Sequence, residues 1–322
     1  MTIFPRSFLV AALLAAALAT PAAAQTSGTG FSLDPQGDLS AMLDCFEAEG
    51  KTVISAHRGG PSAGLPENGI ETMDAIMAAV PAIMEVDVAQ STDGVLYLMH
   101  DRTIDRTTTG TGETKALAWD AIKDLNLVDR AGWVTPYKVP TLEAALDWAK
   151  GKTVLQIDFK RTASFEDTIA LIRAKQMADS VILIAYSQGQ AVKLHSLAPE
   201  MLISYSMGKP GDLDAIVAAG VPSDRIVAFT GTRTARPDLY AALDEADVEV
   251  IFGTLGNPAR SIDGVIERFG TPERYAELSE GGVDVLATDR GREAAFALAE
   301  AGRLPEAGQC GVARVNAETL TD

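Results

Sequence analysis

The chain has 322 residues, 47% of them hydrophobic, and a formal net charge of −17 at pH 7. So acidic a surface repels nucleic acid and anionic membranes, which excludes a protein that binds either of them through a general basic surface. An anionic substrate would need a local positive site, made by a metal ion or by a few Arg and Lys side chains.

The first 24 residues have the pattern of a secretory signal peptide. Arg6 precedes an apolar run over Phe8–Ala19, and Ala22–Ala24 supply the small residues that a signal peptidase reads. We expect cleavage after Ala24 and a protein that is periplasmic or secreted. The apolar run is too short to span a bilayer and no second long run follows, so we expect no stable membrane anchor.

Short apolar runs alternate with helical patterns along residues 52–302, without a Pro/Gly/Ser-rich linker. Eight runs predict strands: Thr52–Ala56, Ile83–Ala89, Thr153–Phe159, Val181–Tyr186, Met201–Ser206, Arg225–Thr230, Val248–Phe252 and Val283–Ala287. Patterns such as Leu142–Ala149, Phe165–Ala174 and Glu293–Ala301 predict crossover helices. Near-continuous apolar strands are typical of a sheet covered on both faces. Eight such units predict a single α/β domain over residues 25–322, a TIM (β/α)8 barrel.

One segment departs from this alternation. Val95–Met99 follows Asp93 and Gly94, and it predicts a second strand that forms a β-hairpin with the end of strand two. The chain from there to Pro140 is long, polar and rich in turn residues, and such a loop in a compact domain is usually functional. The predicted fold is therefore a TIM barrel with a β-hairpin and a long loop inserted after strand two.

Acidic side chains interrupt the apolar runs near the carboxyl ends of strands, where barrel enzymes place their active sites. Glu85 and Asp87 are separated by one residue, so both leave strand two on the same face, and Asp158 lies on strand three. In one barrel mouth, three carboxylates would repel one another unless a cation lay among them. Ligation by oxygen alone favours one Mg²⁺ or Ca²⁺ ion over zinc, and the sequence does not choose between these two ions.

Cationic and titratable side chains accompany the acids. Arg58 follows His57 at the end of strand one, whereas Lys160 ends strand three and the hairpin supplies His100. Both cations are donors for a phosphate oxygen, and both histidines move protons near neutral pH. In an alternative without metal, Arg58 and Lys160 neutralise the acids, but two cations against three carboxylates leave the site short of positive charge.

Short polar motifs are distributed along the whole predicted barrel. They are His57-Arg58-Gly59, Pro66-Glu67-Asn68, Glu85-Val86-Asp87, His100-Asp101, Asp105-Arg106-Thr107-Thr108 with Gly110 and Gly112, Pro140-Thr141-Leu142-Glu143, and Thr288-Asp289. Taken together they resemble the glycerophosphodiester phosphodiesterase family over most of the chain after residue 24. The resemblance implies a TIM barrel whose one divalent cation is held by Glu85, Asp87 and Asp158.

The resemblance also implies which residues carry the reaction. They are an acid/base pair, two phosphate-binding cations and two supporting residues of the first loop: His57 and His100, Arg58 and Lys160, and Glu67 and Asn68. His57 ends strand one beside Arg58, so we expect it to lie deep and to be the base. His100 arrives on the hairpin nearer the outer loops, so we expect it to be the acid.

Three positions depart from the family pattern. Asp158 stands where the family usually has glutamate, and Gly69 where it usually has threonine. In strand seven the chain reads Ile251–Thr254 where the family often has tryptophan followed by threonine. We expect the shorter Asp158 to shift the cation or admit a bridging water, and the missing ring to change recognition of the headgroup.

The reaction that the family implies is hydrolysis of a glycerophosphodiester to sn-glycerol 3-phosphate and an alcohol. One alternative is a related barrel phospholipase acting on lysophospholipid, sphingomyelin or phosphatidylinositol, which would need an apolar rim that the loop 102–140 shows little sign of. Another is a non-catalytic periplasmic protein that binds phosphodiesters, which the presence of both histidines and all three acids disfavours. The expected partner is a small-molecule phosphodiester and no nucleic acid, and the sequence predicts no oligomeric state.

Cys45 and Cys310 are the only cysteines of the chain. They lie near the two ends of the predicted barrel, in a chain expected to reach an oxidising compartment, so we expect a disulfide between them. Two separate buried thiols are the alternative.

Overall fold

The computed structural model describes Met1 and residues 29–316, and its elements follow the predicted alternation. The strands are β1 (Thr29–Leu33), β2 (Val53–Ala56), β3 (Ala82–Gln90), β4 (Leu96–Leu98), β5 (Asn126–Val128), β6 (Val134–Lys138), β7 (Leu155–Phe159), β8 (Val181–Ala185), β9 (Leu202–Ser206), β10 (Ile226–Phe229), β11 (Val250–Gly253), β12 (Val285–Thr288) and β13 (Val312–Asn316). The α-helices are α1 (Leu39–Ala48), α2 (Ile70–Met77), α3 (Leu142–Ala149), α4 (Phe165–Ala174), α5 (Gln188–Leu197), α6 (Gly211–Ala218), α7 (Pro237–Asp244), α8 (Ile262–Phe269), α9 (Glu273–Glu280) and α10 (Gly291–Glu300). Apart from Met1, the predicted signal peptide lies outside the described residues.

Parallel strands close into a barrel in the order β2-β3-β7-β8-β9-β10-β11-β12, with β12 paired back to β2. The closing pair sets Leu286 opposite Ile54 and Ala287 opposite Ser55. The barrel strands are buried along almost their whole length, because helices cover the outside and side chains from opposite strands fill the inside. This two-sided burial explains their near-continuous apolar sequences, and the predicted (β/α)8 barrel is confirmed.

The crossover helices begin where their sequences supply a cap. The Thr141 side chain accepts a hydrogen bond from the Ala144 N–H at the start of α3, and Ser164 does the same for Asp167 at the start of α4. Both helices have the predicted bounds. Within the described residues, none of the helices has the length and apolar character that crossing a bilayer requires.

The hairpin and loop after strand two form a packed unit beside the barrel. β4 pairs antiparallel with the end of β3, as predicted, with Leu98 opposite Val88. The hairpin and the loop that follows share a small core around Tyr97, Ile104 and Leu127. It also contains the antiparallel pair β5 and β6, which the sequence did not predict because these strands are short and partly exposed.

A covalent bond and a strand pair join the two ends of the described chain. Cys45 on α1 is bonded to Cys310, with 5.6 Å between their Cα atoms and a sequence separation of 265. Cys310 precedes β13, which pairs antiparallel with β1. The predicted disulfide is therefore present in the structure.

Reduction of the intact protein is expected to add the mass of two hydrogen atoms. Replacing Cys45 and Cys310 together by alanine is expected to lower the free energy of unfolding by roughly 2–5 kcal/mol, because the bond closes a long loop in the unfolded chain. Denaturant unfolding in oxidising buffer measures this change. Wild-type stability of the double variant would contradict a stabilising role for the bond.

Candidate active site

The carboxyl ends of three neighbouring strands, β2, β3 and β7, bring most of the predicted site residues together. They are His57, Arg58, Glu85, Asp87, Asp158 and Lys160. Glu67 and Asn68 join them from the segment before α2, and His100 joins them from the chain after β4. All of them lie at the mouth where barrel enzymes place their active sites.

Glu85, Asp87 and Asp158 form a compact group of buried carboxylates. One oxygen atom of each lies within 4.8 Å of the corresponding atoms of the other two. Burial, followed by the negative charge of Asp87, raises the pKa of Glu85 to about 8. Three ionised carboxylates in this space are therefore unfavourable unless positive charge lies among them.

Lys160 supplies part of that positive charge. Its Nζ lies 2.6 Å from Asp87 Oδ1 and 2.5 Å from Asp158 Oδ2. Burial by itself would raise the pKa of Asp87. The charge of Lys160 is the largest of the interactions that outweigh burial, so the pKa of Asp87 is lowered. Glu85 is held differently, since its Oε2 accepts a hydrogen bond from the backbone N–H of Arg58 at 2.7 Å. Lys160 therefore pairs with two of the three acids, and Glu85 is left to another partner.

Asp158 has one oxygen that the surrounding side chains do not satisfy. Its Oδ2 accepts hydrogen bonds from Lys160 Nζ and, at 2.8 Å, from the hydroxyl of Tyr186. Its Oδ1 is buried and has no hydrogen-bond partner among the described residues. Such an oxygen beside two further carboxylates fits a hard divalent cation, which takes oxygen ligands. The residues present thus fit the predicted Mg²⁺ or Ca²⁺ site.

Glu67 and Asn68 position the residues around that site. Asn68 Nδ2 donates to Asp87 Oδ2 at 2.7 Å, and Asn68 Oδ1 accepts from the Asp87 N–H at 2.9 Å. Arg58 Nη1 donates to Glu67 Oε1 at 3.0 Å, while Arg58 Nε lies 3.7 Å from Asp87 Oδ2. Arg58 thus shares its charge between Glu67 and Asp87 and neutralises the three carboxylates only in part, which leaves the site short of positive charge without a metal ion.

A tight turn after β2 directs His57 and Arg58 into the mouth. Arg58 has a φ of +53°, in the left-handed region that side chains adopt at an energetic cost. Gly59 and Gly60 follow with φ of +78° and +76°, and a Cβ on either would lie 2.7 Å from a side chain of α2. The two glycines therefore let α2 pack directly against the turn.

His57 is the more buried of the two histidines. Its Nδ1 lies 2.8 Å from Asp289 Oδ1, and its Nε2 lies 4.0 Å from Glu85 Oε2. Burial lowers the pKa of His57, but the hydrogen bond to Asp289 and the charge of Glu85 outweigh burial, and the pKa is raised. Asp289 also accepts a hydrogen bond from Arg130 Nη2 at 2.6 Å. Asp289 therefore fixes the ring of His57 with Nε2 toward the acids.

His100 lies at the outer edge of the site. Its side chain is 34% exposed, against 16% for His57, and its Nδ1 lies 2.7 Å from Asp101 Oδ1. Arg106 joins Asp101 to Glu67, with Nε 2.6 Å from Asp101 Oδ2 and both Nη atoms 2.8 Å from the carboxylate of Glu67. An ion-pair chain thus connects the outer histidine to the loop that holds Arg58.

Sequence reasoning gave no role to Asp289, Tyr186, Arg106 or Arg130. Asp289 and Tyr186 directly follow barrel strands, so the strand-end rule applied to the acids was a signal for both. Arg106 lies in one of the motifs that carry the family resemblance. Arg130 had no signal, since only the β5–β6 hairpin brings it to Asp289.

Comparison with known sequences places this chain within one family. The model of the glycerophosphoryl diester phosphodiesterase family matches residues 57–254, which is more than half of the chain. The uncharacterized protein YqiK of Bacillus subtilis is 31% identical over 159 residues, 47% of this chain and 64% of that protein. A glycerophosphodiester phosphodiesterase of Caldanaerobacter subterraneus is 29% identical over 160 residues, 48% of this chain and 65% of that protein. The match spans slightly less than two thirds of the length of these curated relatives.

Solved structures extend the likeness over most of the chain. The crystal structure of a glycerophosphoryl diester phosphodiesterase from Parabacteroides distasonis superposes with a TM-score of 0.76 at 26% identity. The superposition covers 89% of this chain and 99% of that one. The likeness therefore includes the later strands of the barrel, beyond the segment that the family model matches.

Proposed function

We infer that this chain, which belongs to the glycerophosphoryl diester phosphodiesterase family, hydrolyses glycerophosphodiesters to sn-glycerol 3-phosphate and an alcohol. The observation that carries the inference is a cluster of three carboxylates that fits a divalent cation. Two histidines lie at the same barrel mouth. A phosphodiester is an anion, and in a chain of net charge −17 it needs such a local positive site. The fold alone would not support this reaction, because TIM barrels carry many chemistries.

Displacement at phosphorus requires that negative charge on the phosphoryl oxygens be stabilised. A divalent cation held by Glu85, Asp87 and Asp158 would act as a Lewis acid toward one of those oxygens. Arg58 and Lys160 lie beside the same acids and donate to the remaining oxygens in this proposal. Glu67 holds Arg58 directly, and Asn68 holds Asp87, the partner of Lys160.

The two histidines divide the proton transfers in this proposal. His57, buried and aligned by Asp289, takes the proton from the attacking oxygen. His100, more exposed and aligned by Asp101, gives a proton to the departing alcohol, which leaves toward solvent. The attacking oxygen belongs either to water or to the neighbouring glycerol hydroxyl, and both need the same base.

We propose that the protein acts in the periplasm or after secretion. The bond between Cys45 and Cys310 supports an oxidising compartment, where disulfides persist. The predicted signal peptide would direct the chain there. Its substrate would be a small phosphodiester in solution.

One observation favours a phospholipase as a second candidate. Trp133 directly precedes β6 and Val134 begins it, and the two residues are 73% and 61% exposed. The same hairpin places Arg130 on Asp289, next to the mouth. Tryptophan suits a membrane interface, because its ring is apolar and its N–H remains hydrated. The exposed pair is a small apolar rim of the kind that cleavage of a lysophospholipid would use.

Release of choline from two substrates separates the candidates. Glycerophosphocholine and lysophosphatidylcholine both lose choline when the same ester bond is cleaved, but only the second carries an acyl chain. We expect choline and sn-glycerol 3-phosphate from glycerophosphocholine, at a rate that Trp133→Ala leaves unchanged. No turnover of any glycerophosphodiester contradicts the proposal. A preference for lysophosphatidylcholine that Trp133→Ala removes would favour the phospholipase.

A further inference from the structure

One buried hydroxyl of the barrel has no hydrogen-bond partner among the residues that the structure describes. Ser204 lies on β9 and is 1% exposed, and its Oγ forms no hydrogen bond within the described residues. The contrast is Ser55, also inside the barrel, whose Oγ donates to Gln156 Oε1 at 2.8 Å. Burying a hydroxyl without a partner is unfavourable, so such a group commonly serves a ligand.

Ser204 is one of the residues that line a cavity containing part of the active site. The cavity has a volume of about 100 Å³ and is lined by Ser204, Ser206, His57 and Asp158, among others. Pockets for drug-sized ligands begin near ~300 Å³, so this cavity accepts only a small group. A group that enters it lies beside the predicted base and two of the predicted cation ligands, Glu85 and Asp158.

The walls of the cavity define the chemistry of that group. Ser204 and Ser206 present hydroxyls from the same face of β9, while Phe229, Ile251 and Leu255 present apolar surface from the following strands and loop. A short chain with both C–H and O–H groups matches these walls, whereas an acyl chain exceeds the volume. The cavity thus suits the glycerol half of a glycerophosphodiester.

Resting on the proposed function, we infer that Ser204 is a specificity residue that hydrogen-bonds a hydroxyl of the substrate's glycerol group, the half retained in the product. The leaving alcohol occupies the other side of the mouth, toward His100, which lies on the hairpin and does not line the cavity. Ser204 therefore distinguishes glycerol diesters from diesters that lack a glycerol hydroxyl. It makes no distinction among leaving alcohols.

The test combines Ser204→Ala with substrates that lack one hydroxyl. The substrates are glycerophosphoethanolamine, its two analogues with either glycerol hydroxyl removed, and bis(4-nitrophenyl) phosphate. We expect Ser204→Ala to reduce kcat/KM on glycerophosphoethanolamine roughly 3- to 10-fold, the worth of one hydrogen bond between neutral groups. We expect no reduction on bis(4-nitrophenyl) phosphate, which has no glycerol. Ser196→Ala, which removes an exposed hydroxyl from α5, is the control.

The loss of kcat/KM caused by Ser204→Ala and the loss caused by removing a glycerol hydroxyl from the substrate should not add. The wild-type protein should lose the same factor in kcat/KM on one of the two analogues. Ser204→Ala should show no further loss of kcat/KM on that analogue. Since Ser204→Ala breaks no hydrogen bond within the described part of the chain, its thermal midpoint should not fall. Equal losses of the variant on every substrate, or a wild type indifferent to both analogues, would overturn the role of Ser204. Turnover of bis(4-nitrophenyl) phosphate without any glycerol diester would instead overturn the proposed function.

Discussion

Chelation of divalent cations is expected to reduce hydrolysis of glycerophosphodiesters to the background of the assay, and added Mg²⁺ or Ca²⁺ is expected to restore it. The reason is the buried group of Glu85, Asp87 and Asp158, with carboxylate oxygens within 4.8 Å of one another. A Lewis acid at a phosphoryl oxygen is worth several kcal/mol in the transition state, so its loss corresponds to roughly 10³-fold or more in rate.

Cation binding has a readout that does not depend on activity. Calorimetric titration of the chelator-treated protein is expected to show one ion per chain, and the thermal midpoint should rise because the ion binds only the folded state. Glu85→Gln and Asp158→Asn each remove one ligand charge. We expect each to weaken cation binding by more than the roughly 10- to 100-fold that loss of an outer-shell partner costs.

Glu249→Gln is the matched control for these variants. Glu249 is also buried, but it lies before β11 at the opposite end of the barrel. Burial raises the pKa of Glu249, which favours the neutral carboxyl that glutamine resembles. Cation affinity should therefore be unchanged in this variant. Full activity in excess chelator, or wild-type affinity in Glu85→Gln, would contradict the cation site.

The barrel and its acids were predictable because each rests on a local pattern. Buried parallel strands require apolar residues on both faces, so strands such as β3 are visible in sequence as apolar runs. The alternation of side chains along a strand then places Glu85 and Asp87 on one face without knowledge of the fold. Asp158 becomes their neighbour because β7 pairs with β3, with Asp158 opposite Asp87.

The pairing of His57 with Asp289 did not follow from a local pattern, because it depends on closure of the barrel. Asp289 follows the last strand and meets His57 only because β12 pairs with β2. Arg130 reaches the same carboxylate through β5 and β6, whose short sequences do not predict strands. Local patterns therefore predict the proposed reacting groups, whereas long-range strand pairing decides how His57 is aligned.

The separate roles of the histidines are expected to appear when the leaving group is changed. An alkoxide leaves poorly without a proton, whereas 4-nitrophenolate leaves well unaided. His100→Ala should therefore lose roughly 10²–10⁴-fold on a choline or ethanolamine diester and much less on a 4-nitrophenyl diester. His57→Ala should lose activity on both, because every attacking oxygen needs its base. Initial rates of both variants on both substrates measure the difference.

His195→Ala and Asp289→Asn make this comparison interpretable. His195 is the third histidine of the chain and lies on α5, away from the mouth, so its replacement should leave both rates unchanged. Asp289→Asn keeps the size of the partner of His57 but removes its charge. If Asp289 acts by aligning the base, its variant should resemble His57→Ala on both substrates with a smaller loss.

The outcome on the nitrophenyl substrate decides between three arrangements. Rescue of His100→Ala alone agrees with the geometry, in which the outer, more exposed histidine protonates an alcohol that departs toward solvent. Rescue of His57→Ala alone means that the roles are reversed and that the ring aligned by Asp289 is the acid. Rescue of neither variant means that the histidines do not protonate the leaving group. Charge stabilisation by the cation site, Arg58 and Lys160 would then have to account for departure of the alcohol.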